Sequence, residues 1–264
     1  MTKISSRDNP LLRQARSVRD GKTDGLIFVE GLRLAEEALN SGLEIEAVIY
    51  SDEISEKERA ARFLDSVASV CNRVASVSES LLATISYTKT PQGIILLAKQ
   101  PESGKARLEL LAGLSPLLVM MHGINNPVNV GAIMRSAEAA GATGVITTGN
   151  TADPFSPKSL RGAMGSAFRL PIWRGATYYD ALSWCAVHNI QTVCADVKAR
   201  NLYTDIDWTT PRALILGPES TGLSPEEVAA ADEAVRIGMH GEVESLNVGV
   251  AAGILLYEAA RQRR

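Results

Sequence analysis

The sequence predicts an α/β fold in two parts, a small α/β unit followed by a larger domain built on a parallel sheet. Three observations carry that prediction. Short apolar segments alternate with segments of helical periodicity along nearly the whole chain, which is the rhythm of strand–helix–strand units. One of those segments, Leu117–Met121, is apolar at every position, as a strand covered on both faces must be. A charged stretch with Pro101, Ser103 and Gly104 interrupts the rhythm, and longer elements follow it.

The elements follow in order. Residues 1–24 are a polar, basic arm with a helical pattern at Pro10–Val18. Leu26–Glu30 reads as a strand, Arg33–Asn40 as a helix, Ala47–Tyr50 as a strand, Glu56–Val70 as a helix and Gly93–Ala98 as a closing strand. Residues 99–113 read as a linker with a short helix at Leu108–Leu111, which divides the chain into 1–98, the linker, and 114–264. Beyond Leu117–Met121 come a helix at Val128–Ala140 and strands at Val145–Thr148, Leu170–Trp173, Thr192–Ala195, Ala213–Leu216 and Ala234–Met239. A helix from Leu246 to Arg261 closes the chain; being apolar on nearly every side, it is expected to be buried all round, in a subunit interface or an intrachain core. No internal repeat and no low-complexity tract is present.

Composition narrows the function classes. With 264 residues, 45% hydrophobic and 22% charged, the chain has an ordinary globular balance and enough length for a real core. The N-terminus lacks a basic segment followed by an apolar run, and Val248–Tyr257 is about half a membrane span, so a soluble cytoplasmic protein with no membrane partner is expected. Cys71, Cys185 and Cys194 form no CxxC pair and the three histidines are scattered, so no metal site is expected. Cys185 and Cys194 sit in apolar contexts and read as buried packing.

The net charge of −3 argues against a nucleic-acid binder until its distribution is read. Residues 1–33 carry Lys3, Arg7, Arg13, Arg16, Arg19, Lys22 and Arg33 against Asp8, Asp20, Asp24 and Glu30. Residues 154–179 carry Lys158, Arg161, Arg169 and Arg174 with no acid. Such runs are either solvated faces or phosphate contacts.

Three strand-to-helix junctions carry unusual residues, and parallel sheets bind ligands beyond the carboxyl ends of their strands. In the first, Asn125–Arg135, Asn126 caps a helix with Pro127 at its first position, and Gly131 shares a face with Arg135. Taken alone it is a helix start with a surface arginine, and no GxGxxG fingerprint of a dinucleotide-dependent oxidoreductase occurs. In the second, a strand runs into Gly217-Pro218, and Ser224, Pro225 and Glu227 make a capping box; Glu219 in the turn is either idle or an acceptor. In the third, the strand ending at Met239 gives way to a polar loop that leads to Ser245, a candidate N-cap, and Asn247.

Together these junctions resemble the three signature motifs of the SpoU family of RNA 2′-O-ribose methyltransferases, in the SPOUT superfamily. The matching pieces are NxGxxxR at Asn129–Arg135, LGPExxGL at Leu216–Leu223 and ESLN at Glu244–Asn247, within residues 114–264. The first part of the chain, at SRDNPL (Ser6–Leu11) and FVEGLRL (Phe28–Leu34), is similar to the substrate-binding domain often fused to this family, itself like small RNA-binding ribosomal proteins. The chain departs from the family with Gly238 in place of proline and Gly249 in place of alanine or serine.

The resemblance implies a parallel-sheet domain closed by a deep trefoil knot, a homodimer through the last helix, and S-adenosylmethionine as cofactor. It assigns cofactor contacts to Gly217, Ile237 and Leu246, with Thr148, Gly149, Leu216 and Met239 nearby. It implies that Arg135 takes the proton of the ribose hydroxyl or, since a guanidinium is a poor base, binds phosphate and stabilises the alkoxide. Asn129, Ser245 and Asn247 position the ribose and Arg135, and Glu219 orients Asn129 or the nucleotide. His122 and His240 lie near these loops and could in principle accept protons, but a histidine near a strand end is more often structural. Lys158, Arg161 and Arg33 meet RNA. The expected substrate is large-subunit ribosomal RNA, with transfer RNA or a non-catalytic ribosome-assembly role as alternatives.

Overall fold

The computed structural model describes residues 2–109 and 115–264. The last residues expected in the linker, 110–113, and the far end of the helix expected at Leu108–Leu111 lie outside them. In chain order the strands are β1 (Thr2–Lys3), β2 (Leu26–Glu30), β3 (Ile45–Ser51), β4 (Val74–Val77), β5 (Ile94–Lys99), β6 (Leu117–His122), β7 (Gly144–Thr148), β8 (Ile172–Ala176), β9 (Gln191–Ala195), β10 (Asn201–Leu202), β11 (Arg212–Leu216) and β12 (Glu233–Arg236). The helices are α1 (Pro10–Arg19), α2 (Leu32–Asn40), α3 (Glu58–Ala68), α4 (Glu79–Ala83), α5 (Lys105–Glu109), α6 (Pro127–Ala139), α7 (Pro157–Ala163), α8 (Ser166–Arg169), α9 (Tyr178–Val187), α10 (Pro225–Ala230) and α11 (Val248–Gln262). The chain separates into two compact units, residues 1–101 with 155–168, and residues 102–154 with 169–264.

In the first unit a five-stranded sheet runs in the order β1-β4-β3-β5-β2, with β5 antiparallel to both β2 and β3. Asn9 caps α1 by accepting from the Leu11 N–H, and Pro10 opens the helix where its missing donor costs nothing. Leu12, Ala15 and Val18 then fall on one stripe and join Phe28, Ile49, Leu82 and Leu97 in the core. β4 and α4 are too short to show periodicity, and neither was anticipated. The unit also buries a charge. Glu30, at the end of β2, accepts hydrogen bonds from the Ser86 and Thr88 hydroxyls and from the Tyr87 and Thr88 N–H groups. Those donors offset the desolvation of the carboxylate and anchor the loop that enters β5.

The second unit holds a seven-stranded sheet in the order β10-β12-β9-β11-β6-β7-β8, every pairing parallel. β6 is buried at every position but its last residue, as its unbroken apolar run demands. Because the strands are parallel, His122, Thr148, Leu216 and Arg236 end at the same edge of the sheet, and the three motif loops leave from there.

Several expected boundaries move. β12 stops at Arg236 instead of Met239, so Ile237 and Met239 lie on the following loop, where Gly238 breaks the strand pattern. The strand expected at Leu170–Trp173 is found at Ile172–Ala176, after Pro171. The last helix begins at Val248 instead of Leu246. Its cap is Asn247, whose Oδ1 accepts from the Gly249 and Val250 N–H groups, and not Ser245. That helix is also not buried all round within the chain, since Val250 and Tyr257 are 52% and 54% exposed. α11 packs on α6 through its small residues. A Cβ placed on Gly249 would lie 3.6 Å from the Ala132 Cβ, and one on Gly253 would lie 4.0 Å from the Ser136 Oγ. All three cysteines are buried and free. Burial pushes the Cys185 and Cys194 thiols up to about 12 and about 11.

Candidate active site

The three motif loops meet through side chains. Asn129, on the first turn of α6, is 9% exposed. Its Nδ2 donates to Glu219 Oε1 at 2.8 Å, and its Oδ1 accepts from Asn247 Nδ2 at 3.3 Å. Asn247 in turn holds the first N–H groups of α11. The hydrogen bonds therefore run in one direction, from the positive end of a helix through two carboxamides to a carboxylate. The Asn129 amide is fixed at both ends, and only one of its two orientations satisfies both partners. Glu219 itself is exposed, and its second oxygen makes no hydrogen bond among the described residues.

The turn that carries Glu219 is built for close approach. Gly217 has no room for a side chain, because a Cβ there would fall 2.8 Å from the backbone N of Leu223. The Gly222 N–H closes the turn on the Pro218 carbonyl at 2.9 Å. The expected capping box then starts α10. The Ser224 Oγ accepts from the Glu227 N–H at 3.2 Å and Glu227 Oε2 accepts from the Ser224 N–H at 2.8 Å. In the third loop, the backbone groups of residues 237–246 make no hydrogen bond to other backbone among the described residues, and those of Gly217 are likewise free.

The remaining candidates divide. Leu216 and Thr148 are buried, and the Thr148 hydroxyl is bonded to His122 Nδ1 at 2.8 Å. Ser245 and Leu246 are exposed beside Asn247, and Ile237 and Met239 are half-buried. Arg135 is exposed with no hydrogen bond among the described residues. It lies six positions after Asn129, so the two side chains leave α6 about 120° apart and the chain does not bring them together. Asn129, Ala132 and Ser136 form the stripe that faces α11, and Arg135 is off it. His240 is exposed. Lys158 and Arg161 are exposed on α7, in the first unit, as is Arg33 at the start of α2.

Sequence reasoning missed one arrangement. His122 has both ring nitrogens engaged, with Thr148 on one side and Glu227 Oε1 at 3.0 Å on the other. It is therefore not a free proton acceptor, in keeping with the structural role that the sequence favours for a histidine near a strand end. A histidine closing a buried strand just before Gly123 was the available signal.

Comparison with known proteins decides the assignment. A model of the SpoU rRNA methylase family matches residues 116–257, and a model of the MRM3-like substrate-binding domain matches residues 9–96. This chain belongs to the SpoU rRNA methylase family. Among SpoU relatives, it is 30% identical to a 23S rRNA (uridine(2479)-2′-O)-methyltransferase of Streptomyces viridochromogenes, over 90% of this chain and 84% of that protein. It is 29% identical to the 23S rRNA (guanosine(2553)-2′-O)-methyltransferase RlmP of Bacillus subtilis, over 97% and 98%. An AdoMet-bound rRNA methyltransferase of Sinorhizobium meliloti superposes with a TM-score of 0.85 at 30% identity, covering 98% of this chain and 97% of that one. SpoU methylases take their methyl group from S-adenosylmethionine, and this chain is such a methyltransferase. The residues present fit that donor. Gly217 and the 237–246 loop offer backbone N–H and C=O groups with no backbone partner among the described residues at the carboxyl edge of the sheet, which is what an adenine held by backbone groups needs.

Proposed function

We propose that this protein methylates a ribose 2′-hydroxyl of large-subunit ribosomal RNA, acting as a homodimer in the cytoplasm. The observation that carries the reading is the Glu219–Asn129–Asn247 chain, in which each motif contributes one member. The names of the relatives support the ribosomal substrate. Two of them act on different nucleotides, a uridine and a guanosine, so the target base is a property of each member.

Gly217, Ile237 and Leu246 hold the cofactor through their backbones, with Thr148, Gly149, Leu216 and Met239 around them. The cofactor supplies a methyl group already activated on a sulfonium. The protein's task is to orient a hydroxyl that is barely acidic, and alignment alone can contribute roughly 7–11 kcal/mol. Asn129 and Asn247, locked by the hydrogen bond between them, set the position of the ribose, with Ser245 at their side. Arg135 binds the neighbouring phosphate and stabilises the developing alkoxide, since its guanidinium stays charged. Because Arg135 leaves α6 away from Asn129, it serves the pocket of the second copy.

The dimer reading is supported by Val128, Leu246, Val250 and Tyr257, large apolar side chains left exposed around α6 and α11. The knot reading is supported by topology. After β12 the chain returns past β9 and β11 to pack α11 on α6. Lys158, Arg161 and Arg33 contact RNA phosphates. Mapping of ribose methylation in ribosomal RNA from cells with and without the gene tests the assignment. One 2′-O-methyl signal disappears with the gene, and an unchanged ribosomal map refutes the substrate.

A further inference from the structure

We infer that His122 is a positioning residue for the cofactor side of the site, holding the Thr148–Gly149 backbone and the Gly217–Leu223 turn at a fixed spacing. The inference rests on the reading that these two segments contact the cofactor.

His122 is the last residue of β6, between the two strands whose ends matter here: β7 pairs with β6 on one side and β11 on the other. Its Nδ1 meets the Thr148 hydroxyl at 2.8 Å, at the end of β7. Its Nε2 meets Glu227 Oε1 at 3.0 Å, in the first turn of α10, which opens directly after the Gly217–Leu223 turn. A carboxylate only accepts, so Nε2 carries the hydrogen, and in the neutral ring Nδ1 accepts from the Thr148 hydroxyl. The other Glu227 oxygen is held by the Ser224 N–H, so one carboxylate ties the helix cap to the imidazole.

The ring is also packed against its neighbours. Tyr178 meets it edge-on with centroids 4.9 Å apart, and the Tyr178 hydroxyl donates to the Glu227 carbonyl at 2.8 Å. A Cβ on Gly149 would fall 3.1 Å from the His122 Cε1, so the residue after β7 must be small beside the ring. A Cβ on the next residue, Gly123, would fall 2.9 Å from the Pro218 Cγ, so residues 122–123 touch both cofactor segments at once. An apolar residue at 122 would fill the space but leave the wholly buried Thr148 hydroxyl and one Glu227 oxygen without partners. With both nitrogens used, the imidazole acts through the segments it joins and not on the ribose proton.

The test uses the full-length protein, with S-adenosylhomocysteine as the probe. His122→Phe keeps the ring against Tyr178 and loses both hydrogen bonds. Thr148→Val removes one of them from the opposite side. His122→Gln restores a donor toward Glu227 and an acceptor toward Thr148. Calorimetric affinity falls about tenfold in His122→Phe, which loses both hydrogen bonds, falls less in Thr148→Val, which loses one, and returns in His122→Gln. In steady-state methyl transfer, KM for S-adenosylmethionine rises with the affinity loss while kcat at saturating cofactor changes much less. Amide exchange quickens at residues 148–151 and 217–223 and nowhere else. Wild-type affinity and exchange in His122→Phe overturn the inference. So does a loss that His122→Gln fails to restore and that comes with exchange raised across the whole second unit. If the wild-type protein does not bind S-adenosylhomocysteine, the cofactor reading fails, and the exchange comparison still decides whether His122 ties the two segments.

Discussion

The Asn129 carboxamide donates to the Glu219 carboxylate at 2.8 Å although the two residues are 90 positions apart in the chain. That bond joins the helix of the first motif to the turn of the second. Asn247 joins the third by donating to the other end of the same carboxamide.

The Asn129 hydrogen bonds predict how substitutions at Glu219 differ. Glu219→Gln keeps an acceptor for Asn129 Nδ2, so methyl transfer stays within about tenfold of wild type, whereas Glu219→Ala removes the charged partner and loses the roughly 1.5–3 kcal/mol typical of such a bond. Single-turnover transfer to RNA measures both. Equal loss in the two variants would show that the charge itself takes part in the reaction.

Asn129 and Asn247 are predicted to be coupled. Asn247→Ala removes the α11 cap and costs about 1 kcal/mol of stability on that ground alone. A double-mutant cycle with Asn129→Ala in urea denaturation should add a coupling of about 0.5–3 kcal/mol. Strict additivity would mean that the 3.3 Å contact carries no energy.

Arg135 should separate stability from activity. It is exposed and unpartnered among the described residues, so Arg135→Ala changes stability by no more than about 0.5 kcal/mol. Methyl transfer is lost all the same, while S-adenosylhomocysteine still binds. A wild-type rate in this variant would remove Arg135 from the reaction.

The apolar residues left on α11 predict assembly. Val250→Asp with Tyr257→Asp should convert a dimer into a monomer in sedimentation velocity, since both side chains are more than half exposed in the single chain. A dimer in the double variant would move the interface elsewhere.

The two buried thiols predict an alkaline limit. Cys185 and Cys194 ionise near 9 in the open chain and are pushed up to about 12 and about 11 by burial. Their folded pKa values are raised, so this contribution is complete below pH 9 and fades as pH rises from there toward 11 and 12. Urea midpoints measured between pH 8 and 11 should fall for the wild type and fall less for Cys185→Ala, even though that variant starts from a lower midpoint.

Much of this was legible from residue patterns. The unbroken apolar run of β6 gave its double burial, and Ser224-Pro225-Glu226-Glu227 gave the capping box at atomic detail. The three motifs gave the convergence of Asn129, Glu219 and Asn247. What was not legible depended on tertiary partners. Asn247 caps α11 in place of Ser245 because its side chain reaches both the helix N–H groups and Asn129, a choice that two neighbouring capping residues cannot reveal alone. The apolar composition of α11 signalled burial but not by what, so Val250 and Tyr257 stand exposed in the single chain. His122 was visible as a histidine at a strand end. Its partners, Thr148 and Glu227, belong to elements that only the parallel sheet order brings alongside it.

Incubation of the purified protein with methyl-labelled S-adenosylmethionine and unmodified 23S ribosomal RNA, followed by digestion to nucleosides and mass spectrometry, addresses the central claim most directly. The label should appear on the ribose of one 2′-O-methylnucleoside and vanish with Asn129→Ala. A label on a base, or transfer that survives Asn129→Ala undiminished, would contradict it.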